Sequence, residues 1–539
     1  MPIRARLVTP LLVLSLLLSS CAQPSPAAPA APTPTASLPN PTPTSTQPAP
    51  LRLSFSPEVP QGLRTLLQDV PDLEVVSSSA DLTLELNHDE IGDATWVYAL
   101  AAPFATVTDE VTLPDLQSLW HGVANPGLPA STLVMSTETR TLLTSAWGAG
   151  NSLTVETQPE SDLTERVWAD ETTWAILPFE QLNPRLKVIA VDGLTPLYKD
   201  LDLQRYPLAF HFSFNGSGTL HPRLNADLQG TSLTNRDESK MTTLLMTGVT
   251  ALSRQIAMTM NEKGVLYPAE KINSLMRSAD ITHTSNEASF FADCPAPRAT
   301  FQRFCSDPAY LQLLQETGVD VVELTGNHLV DYGADSLLES LALYQENGFK
   351  LYGGGENLQA ASQPLLIEDH GNKLAFLGCN FVGPENDWAS DSQPGSNPCS
   401  NDPNFEKVKE LTAAGYNVIY SIQFIENCEV KPLSAQRTEF RKAAAAGAVM
   451  VLGSQAHCPQ GFNLADGSFI HYGLGNLFFD QMMNPNRLEF LDWAVFYNGR
   501  LLGVELVTAK LYDFAQPALM TPAERQQLLN WAFEGSEWK

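Results

Sequence analysis

Ten of the 29 residues from position 22 to position 50 are proline, most of the rest are Ala, Thr or Ser, and none is charged. A stretch of this kind cannot bury a core and favours extended polyproline II. At about 3.1 Å per residue it reaches up to roughly 90 Å, so it reads as a tether holding the C-terminal bulk of the chain away from a membrane or through a wall. It divides the 539-residue chain into a leader, 1–21, and the folded material after position 50. At roughly 150 residues per domain that material makes two or three domains, and a hydrophobic content of 43% supplies their cores.

In the leader, Arg4 and Arg6 precede a largely apolar run from Leu7 to Leu18, followed by Ser19, Ser20 and Cys21. A charged start, an apolar stretch and small residues read as a secretory signal rather than a spanning helix. The ending Leu18-Ser19-Ser20-Cys21 resembles a bacterial lipoprotein signal, in which cleavage leaves Cys21 as a lipidated N-terminus. That resemblance implies a lipid-anchored, extracytoplasmic protein at the cell-membrane or outer-membrane surface. The competing reading is ordinary secretion with a fortuitous Cys. No other run of about 18 apolar residues occurs, so no transmembrane helix is expected. With 32 Lys+Arg against 60 Asp+Glu, the net charge of −28 argues against nucleic acid as a partner.

Setting Cys21 aside leaves Cys294, Cys305, Cys379, Cys399, Cys428 and Cys458, all in the C-terminal half. An even set in an exported chain suggests disulfides, and without a paired CxxC a zinc-thiolate site is not expected. Six Cys allow 15 pairings, and the sequence alone does not choose. Nearness favours Cys294–Cys305 and Cys379–Cys399, leaving Cys428–Cys458.

The first folded region, about 51–235, alternates β-like runs (Leu82 to Leu86, Trp96 to Ala101, Leu186 to Val191) with helical ones such as Pro60 to Gln68. This is an α/β pattern. The stretch from Thr173 to Phe179, then Leu186 to Gly193, then Tyr206-Pro207-Leu208 resembles the second half of periplasmic solute-binding proteins over about 40 residues. It carries no ligand-specific motif, and a generic α/β domain without a ligand is the other reading.

The second region, about 240–515, also alternates, and 516–539 reads as a C-terminal tail. Strands are expected at Asp320 to Leu324, Lys373 to Leu377, Val418 to Ile422, Val449 to Leu452 and Phe469 to Tyr472. A helix opened by Asp307-Pro308 closes at Gly318, and another carries Leu337, Leu338, Leu341 and Tyr344 to a stop at Asn347-Gly348. Polar residues follow several strand ends, where α/β folds place their sites. Gly353-Gly354-Gly355 lacks the Lys-Ser/Thr of a P-loop.

Five motifs then occur in order: Ser285-Asn286-Glu287; Gly326-Asn327-His328-Leu329-Val330-Asp331-Tyr332-Gly333; Gly353-Gly354-Gly355-Glu356-Asn357; Gly447-Ala448 with Gly453-Ser454-Gln455-Ala456-His457; and Tyr472 to Asp480. Together, over about 240 residues, they resemble the CapA family of capsule and poly-γ-glutamate synthesis proteins, whose domain looks like a calcineurin-type metallophosphatase. The resemblance implies a divalent metal cofactor (Mn, Zn or Fe), with two ions roughly 3.5–4 Å apart polarising an oxygen and activating a water. Glu287, Asn327 and His457 would be metal ligands. His328 would stabilise charge or protonate a leaving group, oriented by Asp331. An anionic polymer or the cell-envelope synthesis machinery would be the partner, besides the membrane reached through the N-terminal lipid.

Three positions depart from the family pattern. Val249 stands where a metal-binding Asp is expected, Gln423-Phe424-Ile425 replaces His-Trp-Gly, and Gln455 replaces the first His of Gly-x-His-Pro-His. Val has no donor atom, and an amide oxygen suits transition metals less well than imidazole. A full dinuclear centre is therefore not expected, and metal binding should be weak or absent.

Blander roles compete at each position. Asn327-His328 also fits helix capping and loop hydrogen bonding, Glu287 an exposed loop acid, and His457 a disulfide neighbourhood. Tyr472 to Asp480 fits packing, and Glu426, which could stand in for a lost ligand, fits a solvated surface acid better. Three classes thus stand: a CapA-like surface lipoprotein acting on an extracellular polymer, a metal-dependent hydrolase with an altered site, and a non-catalytic solute-binding receptor.

Overall fold

The strand Ala94–Pro103 is buried at nine of its ten positions, as a strand covered on both faces must be. In the computed structural model, which describes residues 49–88, 92–400 and 403–538, it joins the halves of the first sheet. Ala209–Gly216 pairs antiparallel with its start, Thr173–Pro178 with its middle and Leu186–Val191 with its end. Leu51–Phe55 and Leu82–Asn87 run parallel beyond Ala209–Gly216, and Thr132–Met135 runs parallel to Thr173–Pro178. The Tyr206 hydroxyl donates to the Tyr98 carbonyl at 3.0 Å, securing the turn into the returning strand. The leader with Cys21 and the tether up to residue 48 lie outside the described residues.

Two further sheets face each other. One runs in the order Lys350–Tyr352, Val321–Glu323, Ile281–Asn286, Met241–Met246, Leu488–Tyr497, Arg500–Tyr512, Gln516–Leu519; the other runs Leu365–Asp369, Asn372–Asn380, Asn417–Gln423, Met450–Ser454, Phe469–His471, Phe462–Asn463. Side chains alternate between faces. Leu374 and Phe376 therefore enter the layer between the sheets with Leu244, Ile281 and Phe490. Ala375, Leu377, Val418 and Tyr420 pack outward with Val408 and Phe440, from the helices Pro403–Ala413 and Ser434–Ala445. The mixed α/β class read from the sequence agrees with this.

The inter-sheet layer also holds two His–carboxylate pairs. His471 and Asp492 meet at 2.7 Å, both side chains wholly buried. His283 lies 3.4 Å from Glu323, whose carboxylate also accepts from Thr325, Ser454 and Tyr352. Burial works against the Glu323 charge, but these partners outweigh it and hold its pKa below the ordinary value.

One hydrophobic cluster continues from Leu51 and Trp96 of the first region into Leu245, Ile256 and Trp493 of the second, and residues 50–539 form one compact unit. Arg236, 2% exposed, sits at this junction and donates to the Pro196 and Tyr198 carbonyls. Residues 516–538 fold onto the body: Gln516–Leu519 adds a strand, and the helix Pro522–Glu534, opened by a Thr521–Glu524 capping box, buries Leu528, Leu529, Ala532 and Phe533. The disulfides pair Cys294 with Cys305, Cys379 with Cys399 and Cys428 with Cys458, the pairing that nearness favours. No helix among the described residues is long and apolar enough to cross a membrane.

Candidate functional site

Register assembles the site. The parallel strands align Asn380 with Gln423 and Gln423 with Ser454, while Ser285 aligns with both Val249 and Glu323. The residues just past these strands emerge at one edge, the carboxyl ends, where an open sheet presents side chains without breaking its ladder. Gly326 allows two of these segments to touch, since a Cβ there would lie 2.5 Å from the Glu287 Cα. A bridge between Ala288 and His328 completes the contact. Glu287, Asn327, His328, Asp331 and His457, from three separate chain segments, thus meet here.

His328 Nδ1 lies 2.7 Å from Asp331 Oδ2, which also accepts the Phe304 backbone N–H at 2.6 Å. An ionised carboxylate only accepts, so Nδ1 carries a proton and Nε2 is the nitrogen that titrates. Phe304 stacks on the imidazole with centroids 4.0 Å apart. Burial disfavours the imidazolium, but the Asp331 hydrogen bond and the charges of Glu287, Asp331 and Asp387 outweigh it and raise the His328 pKa. Asp387 is 1% exposed; its Oδ1 accepts from Val330 N at 3.1 Å and its Oδ2 has no partner. Burial, reinforced by Asp331, pushes its pKa to about 7.

Glu287 is 2% exposed and His457 4%. Their Oε1 and Nε2 stand 3.9 Å apart, and that oxygen has no hydrogen-bond partner. His457, at a positive φ of 53°, is oriented by Asn476 Oδ1 at 2.8 Å from Nδ1. This leaves Nε2 toward Glu287, the arrangement in which a hydrogen bond to one ring nitrogen sets up the other as a ligand. Gln423 lies against Asn327: its amide is 3.0 Å from Asn327 Oδ1 in one orientation and 3.1 Å from Asn327 N when flipped. It also contacts Gln455. Val249 belongs to a buried apolar cluster with Ala251, Ala288, Phe304 and Phe479.

These residues fit one cation and not two. An orphaned carboxylate oxygen beside an oriented imidazole supplies two donors for a single divalent ion, while the Asn327 amide contacts Gln423. Val249 contributes only hydrocarbon and Gln423 and Gln455 only neutral amides, so none of these three offsets the charge of a second dication. Among the described residues the acidic group Asp280, Asp369 and His370 also has ligand-like spacing. There the Lys199 ammonium, 2.7 Å from Asp280 Oδ1 and 3.4 Å from His370, already supplies the positive charge.

Asn476 and Asp387 were not singled out as polar participants by sequence reasoning. Asn476 lies in the Tyr472 to Asp480 run, whose Leu477, Phe478 and Phe479 are indeed buried. Asp387 lies between Cys379 and Cys399, and that bridge was the available sign that its loop is held in place. Glu426 is exposed.

Residues 243–481 match the family model described as bacterial capsule synthesis protein PGA_cap. The chain is similar to the capsule biosynthesis protein CapA of Bacillus anthracis, 23% identical over 45% of this chain and 61% of that protein. It therefore spans about six-tenths of that curated relative. Among solved structures, an ABC-type phosphate transport receptor from Vibrio cholerae is 14% identical over 34% of this chain and 94% of its own, with a TM-score of 0.28. The NAD nucleotidase of Haemophilus influenzae is 11% identical over 56% of this chain and 57% of its own, with a TM-score of 0.33.

Proposed function

We propose that this chain, whose residues 243–481 match the bacterial capsule synthesis protein family model, acts in the synthesis, export or remodelling of an extracellular acidic polymer of capsule or poly-γ-glutamate type. It works from the cell surface, tethered through a lipidated Cys21, and its strand-end site engages the polymer rather than turning over phosphoesters. The observation that carries this is the apolar Val249 cluster in place of a carboxylate. A two-metal displacement needs charge on both sides of the site, and Val249, Gln423 and Gln455 supply none.

A divalent ion held by Glu287 and His457 would supply Lewis acidity toward a bound carbonyl or phosphoryl oxygen. The chain's own groups do the rest. Asp331 keeps His328 oriented and proton-bearing, so that Nε2 can deliver a proton to an oxygen of the bound polymer or hold its negative charge. Phe304 packs on His328 and Phe479 beside His457.

Deletion of the gene should reduce cell-associated acidic polymer, and the natural gene should restore it. Unchanged polymer in the deletion strain would overturn the reading. The His328–Asp331 pair also favours a hydrolase, so the purified protein should be assayed on generic phosphoesters with added manganese or zinc beside His328→Ala. Little or no turnover is expected; robust turnover abolished by His328→Ala would establish the hydrolase instead.

A further inference from the structure

Beside the strand-end site, and separated from it by Phe304, lies a cavity of about 320 Å³ with Arg254, Arg303, Asn261, Tyr310 and the Cys294–Cys305 loop in its wall. We propose that this cavity is a carboxylate-binding subsite that takes the free carboxylates of an acidic glutamyl polypeptide and holds the polymer next to His328. The proposal rests on the polymer reading above and adds the place and chemistry of recognition.

Charge is the first argument. The chain carries −28 overall, so most of its surface repels a polyanion. This wall has two guanidinium groups and one carboxylate, Asp307; Arg254 is ion-paired with Asp480, whereas Arg303 forms no ion pair among the described residues. A guanidinium without an ionic partner, in a body that is otherwise negative, gives an anionic ligand a favourable point of contact.

Availability is the second. Arg254 uses Nη2 on Asp480, and its guanidinium packs against the rings of Phe304 at 4.6 Å and Phe479 at 5.0 Å, which meet edge to face. It adopts a positive φ of 48°, a conformation that costs a non-glycine residue energy and persists only where its surroundings enforce it. Arg303 places Nε and Nη2 on the Asp331 carbonyl and stacks on Tyr332. Both forks are thus held in position with donors to spare, and a fixed guanidinium fork matches a carboxylate.

Size and surroundings select the ligand. The volume is at the lower end for ligand pockets, enough for one or two residues of a chain. The rim Pro295-Ala296-Pro297 offers few hydrogen-bond donors, because proline lacks an N–H, and the Asn261 amide oxygen already accepts from Tyr310. A sugar polymer would need a network of polar groups for its hydroxyls. An acidic peptide needs only the two arginines.

The same contacts link the subsite to the strand-end site. Phe304 touches Arg254 on one side and the His328 imidazole on the other, and Arg303 shares Asp331 with His328. An occupied cavity therefore presents the next stretch of polymer to His328.

The test is calorimetric titration of the full chain with a short γ-linked glutamate oligomer, repeated with Arg303→Gln, with Ala296→Trp to fill the mouth, and with Lys409→Gln as a distant charge control. Saturable binding is expected, weakened by about tenfold in Arg303→Gln, the worth of one charge-assisted contact. Ala296→Trp should also weaken it, Lys409→Gln should not, and added salt should weaken it throughout. Equal affinity in all variants would overturn the subsite, as would no binding to the natural protein. Equal competition by inorganic phosphate or an oligogalacturonate would overturn the glutamyl assignment. Any of these results alongside loss of polymer in the deletion strain removes the subsite alone; unchanged polymer in that strain removes the broader reading whatever the titration shows.

Discussion

The ring of Phe304 lies on the imidazole of His328, centroids 4.0 Å apart and planes tilted by 27°, while its own backbone N–H is held by the Asp331 carboxylate that orients that imidazole. A loop closed by Cys294–Cys305 is thereby fastened to the strand-end edge of the domain, with Arg303 adding two hydrogen bonds to the Asp331 carbonyl.

The histidine should report its partner directly. Asp331 contributes both a hydrogen bond and a charge that raise the His328 pKa against the opposing effect of burial. Asp331→Asn removes the charge, so the His328 titration followed by NMR should move to lower pH. An unmoved titration would show that Asp331 does not set the protonation of His328.

The Cys294–Cys305 bridge spans 11 positions, and closing a loop of that size constrains the unfolded chain by about 3 kcal/mol. Replacing both residues by Ser should lower unfolding stability by that order in denaturant titration. Peptide mapping without reduction should find all three bridges and no free thiol among the six.

Glu180 links the first region to the junction through Asn235, and burial, over opposing hydrogen bonds from its own backbone and Asn235, raises its pKa from 4.5 to about 7. The folded state therefore favours the protonated acid. Its contribution is complete below about pH 4.5 and is lost as pH rises through about 7, a change on the order of 3 kcal/mol. Glu180→Gln should flatten the fall in melting temperature across that window; an identical slope in the variant would exclude Glu180 as its source.

His471 and Asp492 are wholly buried partners. Removing one leaves a charge or polar group stranded, so His471→Leu should cost about 3–5 kcal/mol. Replacing both with Leu should recover much of that loss. Urea titrations of the single and double variants measure the difference.

Anchoring has a separate test. Cys21→Ala should shift the protein from the membrane fraction to the soluble exported fraction, since the lipid would be the attachment. An unchanged membrane distribution would count against lipidation at that residue.

The sequence by itself determined the alternation of strands and helices, because hydrophobic periodicity and capping residues act locally. Leu186 to Val191 is a strand over the residues expected, and Asn347 ends the helix Ala334–Glu346. It also narrowed the cysteine pairing, because short loops close most readily. Its resemblance to the CapA family pointed to Glu287, Asn327, His328, Asp331 and His457 as candidates, whose motifs lie at strand ends. Only the tertiary structure decided what surrounds them. That Val249 joins Phe304 and Phe479 in an apolar floor, that Asn476 orients His457 and that Asp387 reaches Val330 across 57 positions depend on register between distant strands. Whether a buried carboxylate keeps its charge, as Glu323 does, or gives it up near neutral pH, as Asp387 does, depends on how many donors the fold brings within reach. Local sequence carries neither quantity, because desolvation and charge pairing are set by neighbours in space.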